Sequence, residues 1–279
     1  MDWGWQNRMG RIFPAPTKRT VMLAVDHGYF MGPTHGLEVP KETIRPLLPF
    51  CDALALTRGV LRTSVDPGTS TPIVLRVSGG ASIVGEDLSD ESLTTSMREA
   101  VRLNVAAVAM SVFVGSAHEH SSLTNLGTLV DEGEELGMPV MGITAVGKEL
   151  QKRDSRYLSL ASRICAELGA HVVKTYYCEE GFSRVVEGCP VPLVVAGGPK
   201  LENDQAVLEL AHSAIEAGAY GVDMGRNIWQ SDHPVAMLQA LRGIVHDHLT
   251  VSEARTVLEE ARAGRTPSSS RRPVPPARA

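Results

Sequence analysis

The sequence predicts an α/β protein of the (β/α)8 TIM-barrel class. Eight short apolar runs recur along the 279 residues, and helical patterns separate most of them. Each run is almost continuously apolar, as expected for a parallel strand that is covered on both faces. A doubly wound open sheet is the alternative, but no Gly-x-Gly-x-x-Gly motif follows the first strand, which makes that fold less favoured.

The predicted strands share aliphatic or β-branched residues and polar or glycine-rich C-terminal ends, and they span 20–25, 53–56, 72–75, 105–110, 139–143, 170–177, 192–195 and 221–224. The predicted helices between and after them span 90–103, 121–136, 155–168, 203–217, 234–246 and 252–263. The first two connections, 42–50 and 59–65, carry weaker helical patterns. Strands and helices that alternate in this way predict a closed parallel barrel.

We expect one barrel domain over residues 1–263. An apolar helix within residues 1–19 should cap one end of the barrel. Residues 264–279 are rich in Ser, Arg and Pro and should form a disordered tail, because they cannot bury enough apolar surface to become ordered.

Composition restricts the class of protein. A net charge of −5 argues against a general nucleic-acid binder, and no apolar run approaches the roughly 20 residues that cross a bilayer. The N-terminus lacks the layout of a signal peptide, so we expect a cytoplasmic protein. The four cysteines show no metal-ligand spacing; Cys178 is a candidate thiol nucleophile but more simply an ordinary loop or core residue.

Lys174 lies at the C-terminal end of the sixth predicted strand. Burying an ammonium group is costly, whereas a neutral amine can attack a carbonyl carbon and form a Schiff base. The structural alternative is a lysine that is ion-paired to a neighbouring strand. Both interpretations place the Lys174 side chain inside the protein.

The C-terminal ends of barrel strands meet on one face, where the active site of such a barrel lies. The residues predicted at these ends are Asp26, His27, Arg58, Arg76, Ser78, Ser111, Thr144, Lys174, Gly197, Gly198, Gly225 and Arg226. The two glycine-containing turns follow strands seven and eight, and with Arg226 they favour a phosphate site over plain tight turns. No cluster of His, Asp and Glu suggests a metal, so we expect none.

Four segments resemble those of the DhnA-type class I aldolases, and they are Val21–Gly28, Val173–Tyr177, Ala196–Gly198 and Val222–Asn227. The chain resembles most the branch that contains the autoinducer-2-phosphate thiolase, from about Asp2 to His246. The resemblance implies that Lys174 is the Schiff-base lysine, that Asp26 lines its pocket, and that the two glycine turns hold a substrate phosphate. It also implies a homo-oligomer, since the relatives form large rings, commonly decamers.

One stretch departs from the family pattern. Fructose-bisphosphate aldolases and aminodideoxyheptulosonate synthases carry a catalytic tyrosine in a Tyr-Pro-Arg-Gly stretch after strand five, and Thr144 begins the matching stretch here. The proton-transfer role of that tyrosine would then fall to His27, Tyr176, Tyr177 or a water molecule. The departure argues against fructose bisphosphate as the substrate and fits the thiolase branch.

The resemblance leaves two reactions on a phosphorylated ketone. The first, and the main expectation, is aldol chemistry, in which Lys174 forms an iminium with dihydroxyacetone phosphate and the derived enamine adds to a short aldehyde such as aspartate semialdehyde. This is the 2-amino-4,5-dihydroxy-6-oxo-7-(phosphonooxy)heptanoate synthase type. The second is a thiolase that transfers acetyl from a phosphorylated diketone to coenzyme A, the only co-substrate or cofactor expected. A phosphosugar-binding module is a minor third alternative.

Overall fold

Eight parallel strands close into a barrel in the computed structural model, which describes residues 2–145 and 153–264. The barrel strands, in chain order, are β1 (Thr20–Ala24), β2 (Ala53–Thr57), β3 (Ile73–Arg76), β6 (Ala107–Val112), β7 (Val140–Thr144), β8 (Val172–Tyr176), β9 (Leu193–Ala196) and β10 (Gly221–Met224). Two further strands, β4 (Ser78–Gly79) and β5 (Ser92–Leu93), lie between β3 and β6 in the chain and form a separate antiparallel hairpin. β1 pairs with β10, which closes the predicted barrel.

The helices lie between and around the strands. They are α1 (Trp3–Ile12), α2 (Gly28–Met31), α3 (Pro40–Leu47), α4 (Arg58–Ser64), α5 (Met97–Arg102), α6 (Glu119–Leu136), α7 (Ser155–Glu167), α8 (Phe182–Glu187), α9 (Asp204–Glu216), α10 (Arg226–Trp229), α11 (Pro234–Asp247) and α12 (Val251–Arg262). No helix in residues 2–145 or 153–264 is long and apolar enough to cross a membrane.

The N-terminal helix caps one end of the barrel, as predicted. The Asp2 side chain accepts a hydrogen bond from the Trp5 backbone N–H and so begins α1. Met9, Ile12 and Phe13 are buried and pack in one apolar cluster with side chains of the barrel strands. The barrel is therefore closed by apolar packing at this end. The tail predicted to be disordered lies, apart from Gly264, outside the described residues.

The helix predicted over 90–103 is wrong in its first half. Residues 92–93 form β5, and α5 begins only after Ser96, whose side chain accepts a hydrogen bond from the Glu99 N–H. The backbone N–H groups of Thr94 and Thr95 donate to the Val77 carbonyl, which holds this segment beside β3. These tertiary bonds override the helical pattern and turn Glu91 toward the centre of the barrel.

Smaller differences concern element ends and short helices. The strand predicted over 105–110 is displaced by two residues, since β6 is Ala107–Val112. The weak pattern over 59–65 forms a real helix, α4. Helices α2, α8 and α10 were not predicted, because each is too short for a helical period to be recognised.

Candidate active site

A cleft opens at the C-terminal end of the barrel and measures about 880 Å³ including its mouth. All eight residues singled out for chemistry or phosphate binding line it, namely Asp26, His27, Lys174, Tyr176, Gly197, Gly198, Gly225 and Arg226. They come from the ends of β1, β8, β9 and β10, which confirms that the strand ends converge. Arg58 instead lines a second, adjoining cleft.

Lys174 points into the barrel from β8 and is only 9% exposed. Its Nζ lies 2.8 Å from Asp223 Oδ2, so the ion pair considered as a structural alternative is present. The partner is on β10, two strands away across β9. Within the described chain Lys174 is the polar partner of Asp223, and the other carboxylate oxygen, Oδ1, has no hydrogen-bond partner. Lys174 and Asp223 thus form a buried ion pair that lines the cleft.

Asp223 is the functional candidate that sequence reasoning missed. It is 2% exposed, and burial raises the pKa of its carboxyl despite the positive charge of Lys174 beside it. A signal was present in the sequence, since a carboxylate in the middle of an apolar strand is as unusual as the buried Lys174. In the barrel register, Asp223 and Tyr176 both pair with Ala196, which sets them at one level.

Arg76 centres a network of buried polar groups beneath the other side of the cleft. Its guanidinium donates to Glu91 Oε2 at 2.9 Å, to Asp26 Oδ2 at 3.4 Å and to the Ser78 carbonyl at 3.2 Å. It also donates to Ser111 Oγ and to the Tyr29 hydroxyl, and Tyr29 in turn donates to Glu91 at 2.6 Å. We call Asp26, Tyr29, Arg76, Ser78, Glu91 and Ser111 the Arg76 network.

The Arg76 network holds Asp26 in its ionised form. Burial of this carboxyl opposes ionisation, but the charges of Arg76, His27 and Lys174 outweigh burial and lower the pKa of Asp26. Arg76 itself is 6% exposed and fully committed to these partners. It is therefore not available to bind a substrate phosphate.

His27 lines the cleft as a neutral imidazole. Burial lowers the pKa of His27 to about 4, and the positive charges of Lys174, Arg226 and Arg76 act in the same direction, while Asp26 opposes them. Its Nδ1 atom has no hydrogen-bond partner among the residues described. A β-carbon on Gly225 would lie 2.4 Å from the His27 ring, so only glycine fits there.

Two backbone turns lie side by side where phosphate binding is predicted. The Asn227 side chain donates to the Gly197 carbonyl at 2.8 Å and accepts from the Leu201 N–H at 2.8 Å, which ties the turn after β9 to the turn after β10. A β-carbon on Gly197 would approach Asn227 Nδ2 to 2.9 Å, and Gly198 adopts a φ of 68°. Glycine is required at both positions by this packing.

Arg226 lies beside these turns and pairs with no carboxylate of the described residues. It is half-buried, burial lowers the pKa of its guanidinium, and its buried Nε has no hydrogen-bond partner in the described part of the chain. The Arg153 guanidinium lies 5.0 Å from the centre of the Tyr176 ring and close to Gly198. Two guanidinium groups and two glycine turns thus converge, which is the composition of an anion site.

The position of the family tyrosine carries no acid. The Thr144 hydroxyl donates to Thr175 Oγ1 at 2.7 Å and is 1% exposed. Tyr177, one proposed substitute for that tyrosine, packs against Phe182 with the ring centres 5.0 Å apart and the rings tilted, and it does not line the cleft. His27 and Tyr176 do line it. Residues 146–152, the rest of the departing stretch, lie outside the described residues.

Groupings of metal-ligating side chains and the placement of Cys178 bear on the chemistry of this site. Across 2–145 and 153–264, no three His, Cys, Asp or Glu side chains are grouped as metal ligands. Cys178 does not line the cleft, burial raises the pKa of its thiol, and its Sγ donates to the Glu180 carbonyl. The ordinary structural interpretation of Cys178 agrees with this placement.

The chain is similar to known aldolases and thiolases. Residues 20–231 match the family model described as DeoC/LacD family aldolase. Proteins named 3-hydroxy-5-phosphonooxypentane-2,4-dione thiolase from Photorhabdus laumondii and from Escherichia coli K12 are 54% and 55% identical to this chain, over 91% of it and 86% of each relative.

Solved structures agree in fold. An archaeal fructose 1,6-bisphosphate aldolase has 26% identity and a TM-score of 0.78, over 87% of this chain and 99% of that one. Another archaeal fructose-1,6-bisphosphate aldolase, with its catalytic Lys covalently bound to the carbinolamine intermediate of the substrate, has 27% identity and a TM-score of 0.78, over 86% and 99%. With the barrel and the family match, these similarities establish that the chain belongs to the DeoC/LacD aldolase family and is an enzyme of the Schiff-base aldolase type.

Proposed function

We propose that the protein is a thiolase that cleaves 3-hydroxy-5-phosphonooxypentane-2,4-dione and transfers the acetyl group to coenzyme A, with Lys174 as the Schiff-base lysine. The thiolase names of relatives with 54–55% identity support this reaction. They favour it over the condensation of dihydroxyacetone phosphate with aspartate semialdehyde, which the sequence had put first and which none of these relatives supports.

The structural observation that carries the proposal is the bonding of Thr144. An aldolase breaks a carbon–carbon bond next to a hydroxyl group and needs a base to remove the hydroxyl proton. A thiolase breaks a bond next to a carbonyl group, to which a thiol adds, so that base is not required. The Thr144 hydroxyl donates a hydrogen bond to Thr175, and the Ala145 side chain is neither an acid nor a base. The cleft thus lacks, at this position, the group that aldol cleavage uses.

We assign the substrate phosphate to Arg226 and the turns at Gly197–Gly198 and Gly225. Arg226 has no partner in the described chain that an incoming phosphate would have to displace. A phosphate held there places the adjacent ketone, C4 of the substrate, toward Lys174, which lines the same cleft. The cations and backbone N–H groups at this end set the direction in which the substrate binds.

The chemistry follows from an iminium at C4. Lys174 Nζ forms a bond to C4, and the C4 oxygen leaves as water. The thiol sulfur then bonds to C2, the C2–C3 bond breaks, and its electron pair moves into the iminium to give an enamine. Protonation of C3 and hydrolysis of the carbon–nitrogen bond release dihydroxyacetone phosphate and acetyl-coenzyme A and restore Lys174.

His27 is the group that we assign to the thiol proton. Its ring is neutral at pH 7 because burial lowers its pKa to about 4, and Nδ1 is free of hydrogen bonds in the described chain. A neutral imidazole can accept the proton as sulfur adds to C2, hold it briefly as the imidazolium, and release it when C3 is protonated. The hydroxyl of Tyr176 provides a second proton carrier on the same wall.

Product analysis tests the proposal. The purified enzyme should convert 3-hydroxy-5-phosphonooxypentane-2,4-dione to acetyl-coenzyme A and dihydroxyacetone phosphate only when coenzyme A is present, as measured by mass spectrometry. Lys174→Ala and Lys174→Arg should abolish turnover, because alanine has no amine and a guanidinium does not lose its proton to become a nucleophile. Borohydride with dihydroxyacetone phosphate should label wild type at Lys174 and leave Lys174→Ala unlabelled.

Two results would contradict the assignment. Coenzyme-A-independent cleavage, or efficient condensation of dihydroxyacetone phosphate with aspartate semialdehyde, would return the protein to aldol chemistry. Labelling of Lys174→Ala as complete as that of wild type would show that another lysine forms the Schiff base.

Assembly into a homo-oligomeric ring is a further part of this proposal. The family resemblance supports it, and so does the exposure of large apolar side chains such as Trp3, at 78%, and Leu160, at 54%. Light scattering of the purified protein measures the mass directly, and a monomeric mass at working concentration would refute a stable ring.

A further inference from the structure

We propose that Asp223 is the acid–base catalyst of Schiff-base formation, and that it takes a proton from Lys174 and delivers it to the departing substrate oxygen. The inference rests on the Schiff-base chemistry proposed for Lys174 but not on the identity of the acyl acceptor. It assigns a chemical role to the carboxylate that forms the ion pair with Lys174.

The first argument is position. Asp223 Oδ2 lies 2.8 Å from Lys174 Nζ, the atom that attacks the carbonyl carbon. Asp223 comes from β10 and Lys174 from β8, and both side chains line the cleft. A group that exchanges protons with the nucleophile and then with the oxygen leaving the same carbon must lie within hydrogen-bond reach of that nitrogen. Asp223 meets this condition.

The second argument is the state of its bonds. Apart from its ion pair with Lys174, Asp223 has no hydrogen-bond partner in the described residues, although it is 2% exposed. A buried carboxylate with a single ionic partner is costly to desolvate, and replacing such a pair by apolar residues is often no loss to stability. In the described chain no donor other than Lys174 holds Asp223 in its charged form, so Oδ2 can exchange a proton with Nζ.

The third argument is that Asp26 does not do the same work. The charged and titratable groups around Asp223 are Lys174, Asp26 and Arg76. Arg76 bonds Asp26 and lowers the pKa of that carboxyl, which keeps Asp26 ionised and unable to donate a proton. Burial raises the pKa of Asp223 instead. Of these two carboxylates, Asp223 is the one whose burial raises its pKa and so favours uptake of a proton.

The proposed step balances in atoms and charge. The resting pair is a Lys174 ammonium beside an Asp223 carboxylate. One proton moves from Nζ to Oδ2, and the neutral amine then bonds to the ketone carbon while the carbonyl electron pair moves to oxygen. Asp223 protonates that oxygen, recovers a proton from nitrogen, and gives it to the hydroxyl, which leaves as water. The result is an iminium cation beside an Asp223 carboxylate, with one ketone consumed and one water released.

The rate of iminium formation tests this role. Enzyme and dihydroxyacetone phosphate are mixed, quenched with borohydride at set times, and analysed by intact mass for label on Lys174. Asp223→Asn, which has the same shape, should slow labelling on the order of 100-fold, the lower range for a lost general acid–base group. Asp223→Ala should be equally slow, and added formate, which carries the missing carboxyl, should accelerate it in a concentration-dependent manner.

A merely electrostatic role predicts a different outcome. If Asp223 only holds Lys174 in its charged form, Asp223→Asn should ease loss of the lysine proton, and labelling at pH 7 should be as fast as in wild type or faster. That result, or the absence of formate rescue in Asp223→Ala, would overturn the inference. Thermal melting confirms that each variant is folded, and the alanine variant with formate decides if the asparagine variant does not fold.

The control separates this inference from the proposed function. Asp52→Asn removes another buried carboxylate, one that is bonded to Arg242 and His246 and does not line the cleft, and it should label at the wild-type rate. Failure of wild type to label at Lys174 would refute the Schiff-base assignment itself. Normal labelling of wild type together with normal labelling of Asp223→Asn would refute only the role of Asp223.

Discussion

The two sides of the active-site cleft carry buried charges in opposite states of bonding. On the β1–β3 side, Arg76 donates to Asp26, Glu91 and three other groups of the Arg76 network. On the β8–β10 side, which carries Lys174, Asp223 and Arg226, Lys174 and Asp223 form one ion pair, and the described chain provides no hydrogen bond to Asp223 Oδ1 or to the buried Nε of Arg226. We call this second group the open side.

This difference in bonding indicates different roles for the two sides: one supports the site and the other reacts with the substrate. A buried polar network whose members are satisfied is rigid, and it holds Asp26 and the cleft wall in one arrangement. A buried group without partners is retained only where something else compensates its cost, such as a substrate phosphate or a transferred proton. The Arg76 network therefore builds the site, whereas the open side acts on the substrate.

The largest expected effect is on stability and comes from removing the cation at the centre of the Arg76 network. Arg76→Met keeps much of the side-chain volume but leaves the carboxylates of Asp26 and Glu91 buried without their cation. Removing one partner of a buried pair costs about 3–5 kcal/mol in the free energy of unfolding. Urea denaturation of wild type and variant measures this loss.

Arg62→Met is the control for that experiment. Arg62 pairs with Glu99, but its side chain is 50% exposed, so its loss should cost under about 1 kcal/mol. Equal effects of Arg62→Met and Arg76→Met would show that the Arg76 network is no more important to stability than a surface pair.

The next effect concerns pH and His27, which lies between the two sides. Its pKa falls from 6.5 to about 4 on folding, so between these values the unfolded chain binds a proton that the folded chain does not. Stability should therefore decrease as the pH is lowered through this range, by about 2 kcal/mol between pH 7 and pH 5 from His27 alone.

Chemical denaturation at the two pH values measures that slope. His27→Gln, which does not titrate, should lose this part of the slope, while the exposed His120→Gln should keep it. If wild type and His27→Gln lose stability in parallel, His27 is not the neutral buried group described above.

The last prediction tests the open side. Arg226→Ala should lower kcat/KM for the phosphorylated substrate by about 1.5–3 kcal/mol, the range for hydrogen bonds to charged groups. Part of this loss should be in kcat, because binding of the remote phosphate orients the reacting carbon. Steady-state kinetics with phosphorylated and unphosphorylated substrate separates the two contributions, and the unphosphorylated substrate should be equally poor with both enzymes.

Arg58→Ala is the matched control, since Arg58 lines the adjoining cleft instead. It should leave both substrates unaffected. A loss with Arg58→Ala and none with Arg226→Ala would move the phosphate to the second cleft, and a loss with both substrates in Arg226→Ala would mean that Arg226 only supports its turn.

The sequence by itself determined the barrel and the content of the cleft. Period and composition are local properties, so eight apolar runs and their polar ends can be read without coordinates. Lys174, Asp26, His27, Arg226 and the glycine turns were predicted to meet because strand ends in a parallel barrel must converge. Their common cleft confirms this.

Only the tertiary structure decided how the charges pair. Lys174 and Asp223 are 2.8 Å apart across an intervening strand, and Glu91 reaches Arg76 because a hairpin replaces the first half of a predicted helix. Such contacts depend on barrel closure and on strand register, which local patterns do not specify. For the same reason, the sequence could not tell that Arg76 is fully bonded whereas the buried Nε of Arg226 has no hydrogen-bond partner in the described chain, although both lie at the C-terminal end of a barrel strand.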